Sequence, residues 1–217
     1  MKQIYIKLQL TLAALMLCSM AATAETIEVN GIYYSLEDDD NTATLIDGSE
    51  VYSGSITIPE EIEYKQTRYY VTAIGSYAFE DCTNLTEIKI GNNVKTIGHH
   101  AFDNCTALTS IDIPNSVKKI DYNAFSNCTG ITTVKIGNSV TEIGNSAFKG
   151  CTLLENVTLG EELISIGSYA FCNCTSLTSI NIPSNVLYIY SSAFESCENL
   201  QSVTIGNAVE TISSYAF

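Results

Sequence analysis

Apolar and polar positions alternate along short segments that recur every 23 residues. In one such segment, Leu85, Ile88 and Ile90 are separated by polar side chains, and a second apolar pair follows at Val94 and Ile97. This alternation is typical of a short strand with one buried face. The pattern therefore predicts one short parallel strand in each unit.

The second half of each unit carries an Ala-Phe pair and a cysteine, such as Ala101, Phe102 and Cys105. Their spacings of three and four suit a short helix or turn that points these side chains inward. The pattern recurs at Phe79, Phe102, Phe125, Phe148, Phe171, Phe194 and Phe217. Repeats of about 20 to 29 residues with one short strand each are typical of leucine-rich-repeat solenoids, whose stacked units share one core. The sequence predicts a mainly β, α/β solenoid of this kind.

The cysteines follow the same interval, at Cys82, Cys105, Cys128, Cys151, Cys174 and Cys197. Equivalent cysteines of stacked units point in parallel, which keeps their Cβ atoms farther apart than a disulfide prefers. We expect buried, reduced thiols that act as small apolar side chains. Cys172 lies outside this series, and polar residues occupy its equivalent positions, so we expect it to be exposed and reactive.

The repeat closely resembles the BspA-like leucine-rich repeats, also called the Treponema pallidum type, in which an apolar strand is followed by I-G-x-x-A-F-x-x-C. The resemblance covers residues 55–217 and recurs in register in every unit. Proteins of this family are bacterial, exported and usually described as adhesion or interaction molecules. The resemblance therefore implies a surface or secreted interaction protein.

Three segments are predicted along the chain. Residues 1–24 resemble a secretory signal peptide, with early lysines, an apolar run too short to span a bilayer, and small residues at the end. Residues 25–54 do not repeat and suit an N-terminal β cap, and residues 55–217 form the solenoid. A nine-residue insertion near Glu63 suggests a hairpin. Because Phe217 falls in mid-repeat, we also expect the chain to be incomplete at that end.

The charge of the chain excludes some classes of binding partner. The chain has 10 basic and 24 acidic side chains; without residues 1–24, which hold Lys2 and Lys7, 8 basic and 24 acidic remain, a net charge of −16. Such a charge disfavours nucleic acid and anionic lipid. We expect a secreted or cell-surface protein with no membrane span in its mature part.

The sequence contains few residues that are candidates for catalysis or metal binding. His99 and His100 are adjacent, so on a helix their side chains would diverge by about 100 degrees and could not chelate one ion together. The acidic segment at 37–41 lacks the glycine and glutamate that a calcium loop requires. We find no phosphate loop, zinc spacing or isolated carboxylate pair. The sequence predicts no catalytic residues, no cofactor and no metal site.

Two surfaces are candidates for partner binding. The first is the exposed face of the predicted strands, which offers small hydroxyl and amide groups beside charged groups but no aromatic anchors. Its positions are Glu87, Ser110, Thr133 and Asn156 in one column, and Lys89, Asp112, Lys135 and Thr158 in the next.

The second candidate lies at a repeat position that is polar in the other units but apolar in two consecutive ones. These apolar residues are Ile164 and Leu187, with Tyr188 and Tyr190 beside them. Apolar clusters on a polar surface often mark partner sites. The alternative is that these side chains pack beneath a neighbouring turn or against a further part of the protein.

The residues favour a non-enzymatic extracellular module that binds a protein or glycan ligand. The family resemblance implies a role in cell-surface adhesion or host interaction. The alternative is a structural spacer or targeting arm of a larger secreted enzyme whose catalytic domain lies beyond Phe217. The ligand, the anchoring mode and the oligomeric state do not follow from the sequence.

Overall fold

The structure is a computed structural model that describes residues 24–48 and 51–217. The predicted signal peptide, apart from its last residue, lies outside the described residues.

The N-terminal part is built from six strands: β1 (Glu25–Val29), β2 (Ile32–Glu37), β3 (Thr42–Ile46), β4 (Gly54–Thr57), β5 (Glu61–Tyr64) and β6 (Thr67–Ile74). Strands β1, β2 and β3 pair antiparallel in sequence order, and β3 then pairs parallel with β6. Strands β5 and β6 form an antiparallel hairpin, which confirms the hairpin predicted for the insertion. This part of the chain therefore extends the sheet that the repeats build.

Each repeat contributes two strands. The longer strands are β7 (Leu85–Lys89), β9 (Ser110–Ile113), β11 (Thr133–Ile136), β13 (Asn156–Thr158), β15 (Ser179–Ile182) and β17 (Ser202–Ile205). Two-residue strands alternate with them: β8 (Thr96–Ile97), β10 (Lys119–Ile120), β12 (Glu142–Ile143), β14 (Ser165–Ile166), β16 (Tyr188–Ile189) and β18 (Thr211–Ile212). The predicted strand is present, and the two-residue strand was missed.

The two strand types form two separate layers. The two-residue strands pair in parallel, in register, and continue the N-terminal strands into one sheet of 11 strands. The longer strands pair in parallel in three smaller sheets, and contacts of β7 with β9 and of β13 with β15 join these along one side. We call this side the strand face. The apolar side chains of both layers meet in a single core.

The second half of each unit forms turns, and the described part of the chain contains no helix. The turns hold two left-handed residues per unit, for example His100 with φ of 54° and Asn104 with φ of 62°. Backbone bonds between units hold these turns in place, as in the 2.7 Å bond that the Phe102 amide donates to the Ala124 carbonyl. The helix-or-turn alternative is therefore resolved as a turn, within the mainly β solenoid that the sequence predicted.

The phenylalanines named above form a stacked column that we call the aromatic ladder. Successive rings from Phe79 to Phe217 lie 4.9–5.3 Å apart and are tilted by at most 6° from parallel. Tyr52 packs on Phe79 at the N-terminal end, at 4.9 Å. From Phe79 to Phe194 the ladder is buried. The ladder therefore runs through the core from one repeat to the next.

The repeating cysteines line the same core and are all free. The thiol of Cys128 donates a hydrogen bond of 3.0 Å to the Phe102 carbonyl, and Cys105, Cys151, Cys174 and Cys197 make the equivalent bond. Burial raises the pKa of Cys82 to about 12 and that of Cys197 to about 11. The structure thus agrees with the expectation of buried thiols.

The prediction for Cys172 was wrong, because this side chain is buried, with 5% of its surface exposed. The equivalent Ser126 is also 5% exposed, whereas the longer Glu80 and Lys149 reach the solvent from the same position. Burial raises the pKa of the Cys172 thiol. A short side chain at this position is covered, and polar equivalents alone could not reveal that.

Candidate functional site

The strand face presents the two predicted columns as exposed side chains in register. Thr133 lies beside Ser110 and Asn156, and Lys135 lies beside Asp112. The strands bring together all eight residues predicted for this face: Glu87, Lys89, Ser110, Asp112, Thr133, Lys135, Asn156 and Thr158.

Three charged side chains of this face make side-chain contacts. Lys135 Nζ lies 3.0 Å from Asp112 Oδ2, and the Ser55 hydroxyl donates a 2.9 Å bond to Glu87. These groups are well exposed, so such contacts contribute little to stability. A shallow groove of about 910 Å³ runs along the face between these side chains and the Pro114–Asn115 turn. The face can accept a polar ligand by hydrogen bonds, but it offers no buried anchor.

The other candidate surface lies on the sheet of two-residue strands. We call Ile164, Leu187, Tyr188 and Tyr190 the apolar patch. The Leu187 amide donates a 2.8 Å bond to the Ile164 carbonyl, so these residues are neighbours in consecutive units, as the repeat predicted. The Tyr188 and Tyr190 rings stack with centroids 6.1 Å apart. The structure thus brings all four predicted side chains together.

The patch is open to solvent. Ile164 and Tyr190 are each 42% exposed, whereas Leu187 and Tyr188 are half-buried. The half-buried pair rests on the sheet and the exposed pair projects from it. At 42% exposure, Ile164 and Tyr190 are not buried beneath a neighbouring turn. The alternative of packing against a further part of the protein stays open.

A third cluster was not found from the sequence. On the turns of the first units, the rings of Tyr77 and His100 stack at 5.2 Å, and those of His99 and Tyr122 stack at 4.8 Å. His100 Nδ1 lies 2.8 Å from Asp103 Oδ2. His99 and His100 are the only histidines of the sequence. Their contacts with Tyr77, Tyr122 and Asp103 join adjacent turns and did not follow from the repeat pattern.

The two histidines make separate contacts, and they do so in a turn, whereas their divergence was predicted for a helix. Their ring centroids lie 6.1 Å apart and nearly perpendicular, and His99 Nδ1 is hydrogen bonded to the Ser76 hydroxyl at 2.7 Å.

The architecture defines the class of protein. Stacked units of 23 residues, parallel strands in register, and buried columns of aliphatic, phenylalanine and cysteine side chains make this chain a leucine-rich-repeat solenoid.

Within that class, the chain belongs to the family described as BspA type Leucine rich repeat region. Six copies of this repeat match, over residues 51–158 and 119–217. The family expected from the I-G-x-x-A-F-x-x-C pattern is thereby confirmed.

Solved structures of bacterial proteins are similar to this chain. A leucine-rich-repeat protein of T. pallidum shares 28% identity with a TM-score of 0.75, over 87% of this chain and 85% of that one. A leucine-rich cell surface protein of Faecalibacterium prausnitzii shares 30% identity with a TM-score of 0.63, over 85% of this chain and 55% of that one.

A leucine-rich-repeat protein of Bacteroides ovatus shares 30% identity with a TM-score of 0.60, over 84% of this chain and 54% of that one. The chain thus spans most of the T. pallidum protein and about half of the other two. No protein with a curated description matches it in sequence.

Proposed function

We propose that this protein is a non-enzymatic binding module of the bacterial exterior, which holds a protein or glycan ligand in adhesion or host interaction. The observation that carries the proposal is the apolar patch, with Ile164 and Tyr190 exposed on a polar and strongly acidic surface. Apolar and aromatic groups that project from a rigid sheet supply the contact area on which most binding energy depends.

The rigid scaffold favours this role. Parallel strands in register hold the patch residues, and buried Ile166 and Ile189 fix the sheet beneath them. A preorganised surface loses little conformational entropy when it binds. The similarity to a protein named as a cell surface protein supports an exterior location.

The strand face serves as a secondary surface in this proposal. Its hydroxyl and amide groups can orient a polar ligand, and the groove of about 910 Å³ gives that ligand room. Polar contacts of this kind add specificity more than affinity.

Surface plasmon resonance of the purified protein against immobilised matrix proteins and mucin glycans tests the proposal. We expect saturable binding to at least one component, and loss of that binding after heat denaturation. Absence of saturable binding to every protein and glycan of the panel would contradict the adhesion role.

A further inference from the structure

We propose that Glu80, His100 and Asp103 form a binding site for a first-row transition cation of the Zn²⁺ class, which links the turns of two adjacent repeats. Each residue offers one ligand atom, and these three atoms lie within 4.8 Å of one another. Glu80 comes from one unit, and His100 and Asp103 come from the next.

The distances fit a small cation. His100 Nδ1 lies 2.8 Å from Asp103 Oδ2 and 3.7 Å from Glu80 Oε1. Tetrahedral ligands at roughly 2.0–2.1 Å from Zn²⁺ are separated by about 3.3 Å, which falls between these two distances. Small rotations of the Glu80 side chain, whose 39% exposure leaves it free to move, would complete the triangle.

The surroundings hold two of the ligands in place. The Asn123 side-chain amide lies 3.1 Å from His100 Nε2, and Asn127 donates a 3.1 Å bond to Asp103 Oδ1, the oxygen that does not face the histidine. With a cation on Nδ1, Nε2 carries the proton. Its N–H then donates a hydrogen bond to the Asn123 amide oxygen, once that amide is turned by 180°. Such outer contacts orient metal ligands in many sites. Tyr77 stacks on the His100 ring at 5.2 Å and limits its rotation.

The ligand set occurs once along the repeats. At the repeat position that Asp103 occupies, two consecutive units carry an acidic side chain only at Glu80 and Asp103. The next three units have Ser126, Lys149 and Cys172 there. The equivalents of His100 in other units are Tyr, Asn or Ser. An imidazole nitrogen beside two carboxylates favours a transition cation over Ca²⁺, which prefers oxygen ligands alone.

Isothermal titration of the purified, untagged protein with ZnCl₂ tests the site, with CaCl₂ as the selectivity arm. We expect one Zn²⁺ per chain, a rise in melting temperature when Zn²⁺ is added, and no comparable binding of Ca²⁺. The informative variant is His100→Asn, because asparagine tolerates a left-handed backbone and occurs at the equivalent Asn123. It should bind Zn²⁺ more than about tenfold more weakly.

The matched control is His99→Asn, which removes the neighbouring histidine and should bind Zn²⁺ as the unchanged protein does. Equal Zn²⁺ binding by His100→Asn would overturn the site and assign the cation elsewhere, for instance to the thiols. Absence of Zn²⁺ binding by the unchanged protein would overturn it as well.

Discussion

The aromatic ladder and the apolar patch are made of similar side chains, yet they differ in recurrence and burial. The ladder places one phenylalanine in every unit, and its members from Phe79 to Phe194 are buried. The patch occupies two consecutive units only, and Ile164 and Tyr190 are 42% exposed. In a repeat protein, the recurring apolar positions build the core that stacked units share. Exposed apolar side chains outside that pattern are candidates for contact with a partner.

Removing a ladder ring should produce the largest effect. Phe125→Ala leaves a cavity between two stacked rings at about 5 Å on either side, and we expect it to lower the free energy of unfolding by about 3–5 kcal/mol. Chemical denaturation measures this loss. Phe217→Ala is the matched control, because that ring is 49% exposed and should cost less than about 1 kcal/mol. Equal losses would mean that burial does not decide how much a ladder ring contributes to stability.

Changing the patch should affect binding rather than folding. Leu187→Lys with Tyr188→Ala should weaken binding of the ligand found in the panel by about 30-fold or more, which is about 2 kcal/mol. The free energy of unfolding should change by no more than about 1–2 kcal/mol, since both side chains are only half-buried. Surface plasmon resonance and denaturation of the same samples measure both quantities.

Tyr70→Ala controls for the loss of an exposed ring, because Tyr70 is 46% exposed and lies on β6, far along the sheet from the patch. It should leave the affinity unchanged. If the patch variant folds and binds like the unchanged protein, the patch is not the partner site.

Raising the pH should weaken the core through its thiols. Burial raises the pKa of the Cys151 thiol above its ordinary value of 9.0, so the folded form stays protonated while the unfolded chain ionises. Stability is therefore complete below pH 9 and is lost as the pH rises above it, by roughly 1 kcal/mol per pH unit for each buried thiol. Denaturation at pH 8, 9 and 10 measures this slope. Cys151→Ala should show a shallower slope, and an unchanged slope would argue against ionisation of this thiol.

Breaking an ion pair on the strand face should have the smallest effect. The side chains of Lys135 and Asp112 are 63% and 67% exposed, so Lys135→Ala should alter the free energy of unfolding by less than about 1 kcal/mol. We also expect little change in affinity for the ligand. A large loss of affinity here would move the main binding surface from the patch to the strand face.

The sequence was sufficient for the architecture because every unit repeats the same apolar frame. It did not reveal the two-residue strands, since a strand such as Thr96–Ile97 is too short to show alternation. It also did not decide whether the second half of each unit is a helix or a turn. Residues such as Tyr77 and Tyr169 adopt a positive φ that their side chains rarely favour, and backbone bonds to the next unit hold them there.

The candidate sites were less accessible to sequence reasoning. The neighbourhood of Ile164 and Leu187 followed directly from the 23-residue interval, although their role in binding stays a prediction. The burial of Cys172 depends on the short length of its own side chain, as at the equivalent Ser126, and a column of polar equivalents does not show this. The group of Glu80, His100 and Asp103 requires contacts across two turns, and the left-handed backbone at His100 helps to direct its ring.

Amide hydrogen exchange of the protein, alone and saturated with its ligand from the panel, measures which of the two surfaces the ligand covers. We predict slower exchange at residues 164–166 and 187–190 in the complex, with little change in the strands Ser110–Ile113 and Thr133–Ile136 of the strand face. Protection confined to those two strands, with unchanged exchange at 164–166 and 187–190, would place the ligand on the strand face and not on the apolar patch.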